Sequence, residues 1–523
     1  MKKILLLCSA FIFTLSVGIA SSGMQSSGND NNHEAQEQHD DHQSDDHGDD
    51  HDTINEDGDH ASTDHANEHG EGHGAHSSGH DESHLPPVWL VIPFVALLLM
   101  IATGPLFYAH FWHHHYPKVA IALGVAVAAY YIFVMDNTHQ PIHSGFEYVS
   151  FISLLTALFV ASGGILLGWD KQGSPWTNVI ILVIGAAIAN VIGTTGASML
   201  LIRPFIKLNK GRIKPFHIVF FIFMVSNVGG SLTPIGDPPL FLGFLKGVPF
   251  EWTLIHVWPK WIFGTGLLAL IFYFLDSRDL KKNPIEKKEK AYSGRVGLRG
   301  GRNIIFLVLT IAAVFLDPNK IDWVPSIDIP HGGHVTHFSY LRELIMLAIA
   351  AVAYFTSEKE CLKRNEFNFE PIKEVAYLFI GIFFTMMPAL ELVGEFAKAN
   401  PDQIGTHSLY WLTGALSGVL DNAPTYMNFL AAAVAKVGLD INSLTDVASF
   451  ASSEIAYLTA ISVASVFFGA MTYIGNAPNF MVKAIAEQQG IEMPSFVAYI
   501  VKYSIPFLFP VLLLTWIVFF LLM

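Results

Sequence analysis

The stretch Ser226-Asn-Val-Gly-Gly-Ser-Leu-Thr-Pro-Ile-Gly-Asp-Pro-Pro239 is rich in helix breakers and oxygen ligands, yet strongly apolar sequence flanks it on both sides. Backbone at bilayer depth must satisfy its own N–H and C=O groups, so an unwound segment survives there only where it is buried in protein or lines a cavity. Asp237 sharpens the reading, because an ionisable side chain inside a membrane segment is costly and marks a functional site by default. A second stretch, Thr472-Tyr-Ile-Gly-Asn-Ala-Pro-Asn-Phe480, echoes Thr233-Pro-Ile-Gly-Asp-Pro-Pro-Leu-Phe241, sharing Thr, Ile, Gly, Pro and Phe and setting Asn476 opposite Asp237. So short a match carries little alone; the matching order of elements around it gives it weight.

Of 523 residues, 51% are apolar and only 14% charged, and several apolar runs are long, which places the chain among all-α polytopic membrane proteins and excludes an ordinary soluble enzyme. The net charge of -15 is a local effect: residues 25–84 hold 18 Asp and Glu with no Lys or Arg, which leaves the remainder near +3. With Cys8 and Cys361 as the only cysteines, neither a disulfide framework nor a Cys-based metal site is available.

Residues 1–20 combine Lys2-Lys3, an apolar run from Ile4 to Ile19 and a small-residue end, the pattern of a secretory signal peptide. An uncleaved anchor is the alternative, and both readings put the following segment outside the cytoplasm. Residues 21–85 hold almost no large apolar side chains, cannot bury a core and are expected to be disordered. Their histidines, His33, His39, His42, His47, His51, His60, His65, His69, His73, His76, His80 and His84, suit peripheral capture of divalent zinc, copper or nickel; a solvated tether is the plainer reading.

From Leu85 onward, spans are expected near 88–108, 118–135 and 147–168, then a long apolar stretch at 176–208 broken around Gly193-Thr-Thr-Gly196, a broken span at 216–246 and a span near 256–276. The second half is expected to run 303–317, 339–356 and 372–392, then 408–437 broken at Leu420-Asp-Asn-Ala-Pro-Thr425, a broken span at 453–490 and a last span at 496–523. Two short legs joined by a polar tip favour re-entrant hairpins at 176–208 and 408–437, since a single crossing needs roughly 20 apolar residues. With both as hairpins, loops assigned to the cytoplasm carry 21 Lys and Arg and the outer loops carry four, as the positive-inside rule requires. The chain then divides into repeat 1 at 86–276, a basic cytoplasmic linker at 277–302 and repeat 2 at 303–523. Each repeat holds a re-entrant hairpin and a broken transmembrane helix, and the two have inverted topology, the pattern of secondary transporters.

Four polar elements are expected to converge at the centre. They supply Asn190, Thr194, Thr195 and Ser198 from the first hairpin, Ser226, Asn227, Thr233 and Asp237 from the first break, Asp421, Asn422 and Thr425 from the second hairpin, and Ser465, Thr472 and Asn476 from the second break. Oxygen and amide ligands suit hard cations, and no His, Cys or Met sits among these positions to favour a soft metal. A carboxylate in a low-dielectric cavity is contested by proton and cation, which is the physical basis of exchange. Asp421, flanked by Asn422 and Thr425, is the first choice for that role and Asp237 the second. Plainer readings exist: either acid could cap a helix or turn, and the hydroxyls could bond to helix backbone. Arg203 reads as an interfacial anchor, Glu391 and Glu395 as solvated groups at an outer end, and His113-His-His115 and the loop residues His331, His334 and His337 as ordinary loop histidines or as metal or pH sensors.

At these residues the chain resembles the NhaD-type sodium/proton antiporters of the ion transporter superfamily, whose wider members include arsenite, citrate and dicarboxylate carriers. The resemblance covers roughly Leu85 to Met523 and rests on Asn190-Val-Ile-Gly-Thr-Thr-Gly-Ala-Ser198, Ser226 to Pro239, Asp421-Asn-Ala-Pro-Thr425 and Gly469-Ala-Met-Thr-Tyr-Ile-Gly-Asn-Ala-Pro-Asn479. It implies a bacterial inner-membrane protein that exchanges sodium, with lithium as a second ion, for protons, uses no cofactor, and carries its ions on these polar positions. The His-rich extension departs from the family's core pattern. An organic-anion or oxyanion carrier of the same architecture is the alternative, and Asp237 and Asp421 argue against it by charge. A metal-binding membrane anchor acting through residues 25–84 is a third reading. No nucleotide loop, zinc-binding His-Glu-x-x-His or nucleophile constellation supports an enzyme, nothing points to nucleic acid, and a homodimer is expected only by analogy.

Overall fold

A computed structural model of the chain describes residues 85–522, apart from 170–171, 285–295, 319–320, 322 and 332–333. The signal-peptide and His-rich readings fall outside the described residues, as does much of the basic linker.

The described chain is all-α in architecture, and eight of its helices are long and apolar enough to cross a membrane. Helices α1 (Ile92–Phe107), α2 (Ala109–Phe133) and α3 (His139–Gly163) lead into α4 (Pro175–Leu208). A straight helix of 34 residues would hold its ends about 50 Å apart. Instead the Gly173 N–H donates to the Leu208 carbonyl at 2.8 Å, so the two ends meet. The reversal falls at Gly193, whose φ of 77° and ψ of 155° belong to a region that side-chain-bearing residues rarely enter. The hairpin base is fixed by buried Asn178 and Asn209, which exchange amide hydrogen bonds at 2.8 Å, and by Asp276, which accepts from Asn178 and pairs with Arg212.

A broken helix follows. It consists of α5 (Pro215–Met224), a short 3-10 turn at Val228–Leu232, and α6 (Pro238–Leu245). Two prolines at the start of α6 force the preceding Asp237 into extended backbone, with φ -142° and ψ 143°, which interrupts the helix. Helices α7 (Trp252–Lys282), α8 (Gly301–Val314), α9 (Tyr340–Thr356), the short α10 (Lys359–Arg364) and α11 (Glu370–Ala399) come next. The second hairpin is α12 (Thr406–Ser417) and α13 (Asn422–Lys436), and its base is tied by the Lys436 ammonium, which donates to the Ile404 carbonyl.

The two halves repeat one local geometry. Asn476, like Asp237, is extended, with φ -155° and ψ 140°, and precedes a helix, α16 (Ala477–Gln488). The Thr194 N–H at the first tip donates to the Gly236 carbonyl of the first break at 2.8 Å, and the Asn422 N–H at the second tip donates to the Gly475 carbonyl of the second break at 3.1 Å. Gly236 lies against Gly230 so closely that a Cβ has no space, and Gly475 lies against Gly469 in the same way.

Helix α11, about 45 Å long by its 30 residues, gives the molecule two ends. At its start, Glu370 lies with Glu366 and Arg203 of the first hairpin around one cavity mouth. At its other end, Ala397 packs on Ala432 and Ala435 near the base of the second hairpin. Between them Phe151 stacks on Phe379 at 4.7 Å and packs against Phe241 of the broken helix.

The second broken span starts differently from expectation. In place of one stretch from 453, α14 (Leu444–Ser453) and α15 (Ile455–Phe468) meet at 98°. Glu454 breaks the helix there with φ -109° and ψ 49°, and the serine- and aspartate-bearing α14 starts on its own cap, Ser443. Two small ladders also appear, β1 (Leu166–Trp169) with β2 (Val296–Arg299) and β3 (Ile327–His331) with β4 (His334–Phe338), each antiparallel. The chain ends on α17 (Phe496–Leu521).

Candidate functional site

The four polar elements meet on one carboxylate, that of Asp237, which is 1% exposed. Its Oδ1 accepts from the Thr194 hydroxyl and from the Asn476 amide, both at 2.8 Å, and its Oδ2 accepts from the Asn422 amide at 2.7 Å. First hairpin, second break and second hairpin thus each place one neutral donor on the acid of the first break. Asp237 does not cap α6 with its side chain, so the helix-cap reading of this residue is corrected: Pro238 and Pro239 remove the nearest N–H donors and the carboxylate turns inward.

A ring of amides holds this arrangement. The Asn190 amide donates to the Gly229 carbonyl at 2.6 Å and accepts from the Leu232 N–H at 2.8 Å, which ties the first hairpin to the first break. Asn227 donates to Asn479 at 2.7 Å, and Asn479 donates to the Gly469 and Thr472 carbonyls, which ties the two breaks together. Asn476 also reaches the Ser226 carbonyl at 3.1 Å, and Ser226 shares a hydroxyl hydrogen bond with Ser198 at 2.8 Å. A buried amide is tolerated only when its donors and acceptors are met, and Asn190, Asn227 and Asn479 meet that condition.

Other predicted positions serve the backbone. Thr233 donates to the Asn190 carbonyl, Thr472 accepts from the Ile474 and Gly475 N–H groups, and Thr425 donates to the Asp421 carbonyl. Ser465 lies inside α15 and donates to the Ser462 carbonyl, so it is not brought to the carboxylate. Asp421 accepts from the Ala423 N–H at 3.0 Å and caps α13, yet it also lines a cavity. Asn479 was missed as a site residue because it stands opposite apolar Leu240 in the repeat.

That cavity, of about 380 Å³, runs from Arg203, Glu366 and Gln488 at one end to Thr195, Asp421 and Asn476 at its floor. Arg203 pairs with Glu366 at 2.9 Å, so it forms part of the mouth rather than a plain interfacial anchor. Two more features bear on ligands. The Oδ1 of Asn422 is buried without a hydrogen-bond partner beside the Asp237 carboxylate, and so are the Nε and Nη1 donors of Arg203 at the mouth. Glu391, expected in solvent, accepts from the buried Tyr131 hydroxyl at 3.2 Å because α2 packs along α11 there, while Glu395 is exposed and paired with Lys398. Among the described residues no three His, Cys, Asp or Glu side chains form a metal-sized group.

An all-α bundle with two hairpins and two broken helices converging on a buried acid, whose neighbours Gly236, Pro238 and Asn476 line a cavity, is a multi-pass membrane transporter. The comparisons specify it further. The profile of the family described as "Putative citrate transport" matches residues 82–520, and the chain belongs to that family. An uncharacterised transporter of Mycobacterium tuberculosis is 23% identical over 411 residues, 76% of this chain and 84% of that protein, and one of Mycobacterium bovis matches to the same extent. A 46 kDa membrane protein of Mycobacterium leprae is 23% identical over 338 residues, 61% of this chain and 72% of that protein.

Proposed function

We propose that the protein is a secondary transporter of the bacterial inner membrane that exchanges sodium, and in its absence lithium, for protons at Asp237. The observation that carries this reading is the setting of that carboxylate: buried and contacted by neutral donors only. A buried carboxylate without a basic partner needs a proton or a cation to neutralise it. Neutralisation by each in turn, from opposite sides, is antiport. The Asn422 Oδ1 and the Asp421 carboxylate supply further oxygens within the same centre for a hard cation. Asp237 takes precedence over Asp421, which is partly engaged as a helix cap. Inverted repeats, which the two hairpins at opposite ends of α11 favour, supply the alternating access.

The test is a proton-flux assay in proteoliposomes with an imposed pH gradient. Sodium or lithium should dissipate the gradient, potassium should not, and Asp237→Asn should abolish the response. A second reading, a carrier of organic anions, is favoured by the unpaired Arg203 donors in the cavity and by the family's description. Uptake of citrate or a dicarboxylate with no response to monovalent cations alone would select it and overturn the antiporter.

A further inference from the structure

The cavity opens where Arg203 and Glu366 stand, and none of the residues around Lys246, at the opposite end of α11, lines it. There the Lys246 side chain, at the end of α6, is buried, with 4% of the residue exposed. Its ammonium lies 2.8 Å from the Glu147 carboxylate of α3 and donates to the Asn442 side chain at 2.9 Å, in the connection between the second hairpin and α14. His143, one turn earlier on α3, stands 3.5 Å from the same carboxylate. Gly247 continues the contact: with φ 112° it turns the chain so tightly onto Leu444 that a Cβ would meet the Leu444 carbonyl oxygen at 2.6 Å. Two separate elements, α3 and the connection before α14, therefore close on the ammonium at the end of α6. The helix that leads to it, α6, begins directly after Asp237 and spans about 12 Å by its 8 residues.

We propose that Glu147, Lys246 and Asn442 form a latch that shuts this end of the molecule while the cavity is open at the Arg203 end, and that it parts when the central site is reached from the other side. A buried ion pair adds little stability over an apolar contact of the same shape. Its advantage is reversibility: when the end opens, water rehydrates both charges, so the closed and open arrangements stay close in free energy, as a two-state element requires. Helix α6 joins the latch to the Asp237 carboxylate, so the position of one is communicated to the other. This inference rests on transport through the central site and not on which ion is carried.

The experiment uses the full chain with Cys8 and Cys361 replaced by Ala and a reporter, Thr195→Cys, at the cavity floor. Labelling by a membrane-impermeant maleimide is timed in right-side-out and inside-out vesicles, without any transported ion. The reporter should react faster from the Arg203 end when the latch is intact. Glu147→Gln should shift the ratio of the two rates several-fold toward the Lys246 end, and the charge exchange Glu147→Lys with Lys246→Glu should bring it back. An unchanged ratio in Glu147→Gln, or a shifted ratio that the exchange does not restore, overturns the proposal. If Glu147→Gln fails to reach the membrane, the neutral double variant Glu147→Gln with Lys246→Met replaces it, and an unchanged ratio there overturns the proposal equally.

Discussion

The Asp237 carboxylate has three neutral donors, and they demand a full acceptor. Asp237→Asn exchanges one acceptor oxygen for an N–H₂ that must face the donor of Asn422 or those of Thr194 and Asn476. A buried donor left without a partner costs about 1–3 kcal/mol, so a lower Tm is expected together with loss of transport. Asp421→Asn keeps a side-chain oxygen able to accept from the Ala423 N–H, so its Tm should stay near that of the parent chain. Thermal unfolding in detergent, measured on both variants, checks the contrast. At this scale the sequence was half legible. Asp and Asn inside apolar stretches announced themselves, because burial of either needs a reason. Which acid stands at the meeting point was not readable, because that depends on contacts across 43 to 239 positions of chain. Asn479 was hidden because its counterpart in the first repeat is the apolar Leu240.

The hairpin of α4 depends on a backbone conformation that only glycine adopts without strain. Gly193→Ala meets only an ordinary contact, the Ile235 carbonyl oxygen at 3.4 Å, so steric crowding is small and the backbone term dominates. That term is about 1–3 kcal/mol, and the variant should unfold at a lower temperature while the Gly211→Ala control, in the turn after α4 with open space around it, is read alongside for the cost of positive φ away from the site. The β3–β4 hairpin answers to pH. Asp328 accepts from His337 at 2.7 Å, and that hydrogen bond holds its carboxyl below the usual carboxylate range. A depressed folded-state value means its contribution is present above the unfolded Asp range and lost as pH falls through the folded one. The protection of this hairpin's amides against exchange, taken relative to the intrinsic rate at each pH, should therefore fall in acid, and Asp328→Asn should remove the dependence. The breaks and tips were legible as elements because Gly, Pro and Asn interrupt apolar runs. The corner at Glu454 was not, since nothing in Ser452-Ser453-Glu454 distinguishes a bend from a helix end.

For the molecule as a whole, the all-α polytopic fold class followed from hydropathy, because a bilayer rewards apolar helices strongly. The Glu147–Lys246 pair lay beyond that reading, as two residues 99 positions apart share no local pattern. Residues 25–84 stand as a separate matter of composition. Their deletion should leave transport intact and remove divalent-metal binding by the full chain, as titration with zinc or nickel would show; loss of transport would instead make the segment part of the machinery.

The junction between the halves holds one more consequence. β1, after the third helix, pairs with β2 at the end of the linker, while Asn303 donates to the Ala161 carbonyl and Asn365 to those of Gly163 and Ile165. The second half therefore supplies the hydrogen-bond partners for the carbonyl end of a first-half helix, as a key does for a lock. Two genes encoding the chain up to 284 and from 296 onward, expressed together, should reassemble a working protein, whereas Asn365→Ala in the second fragment should leave the first without its mate.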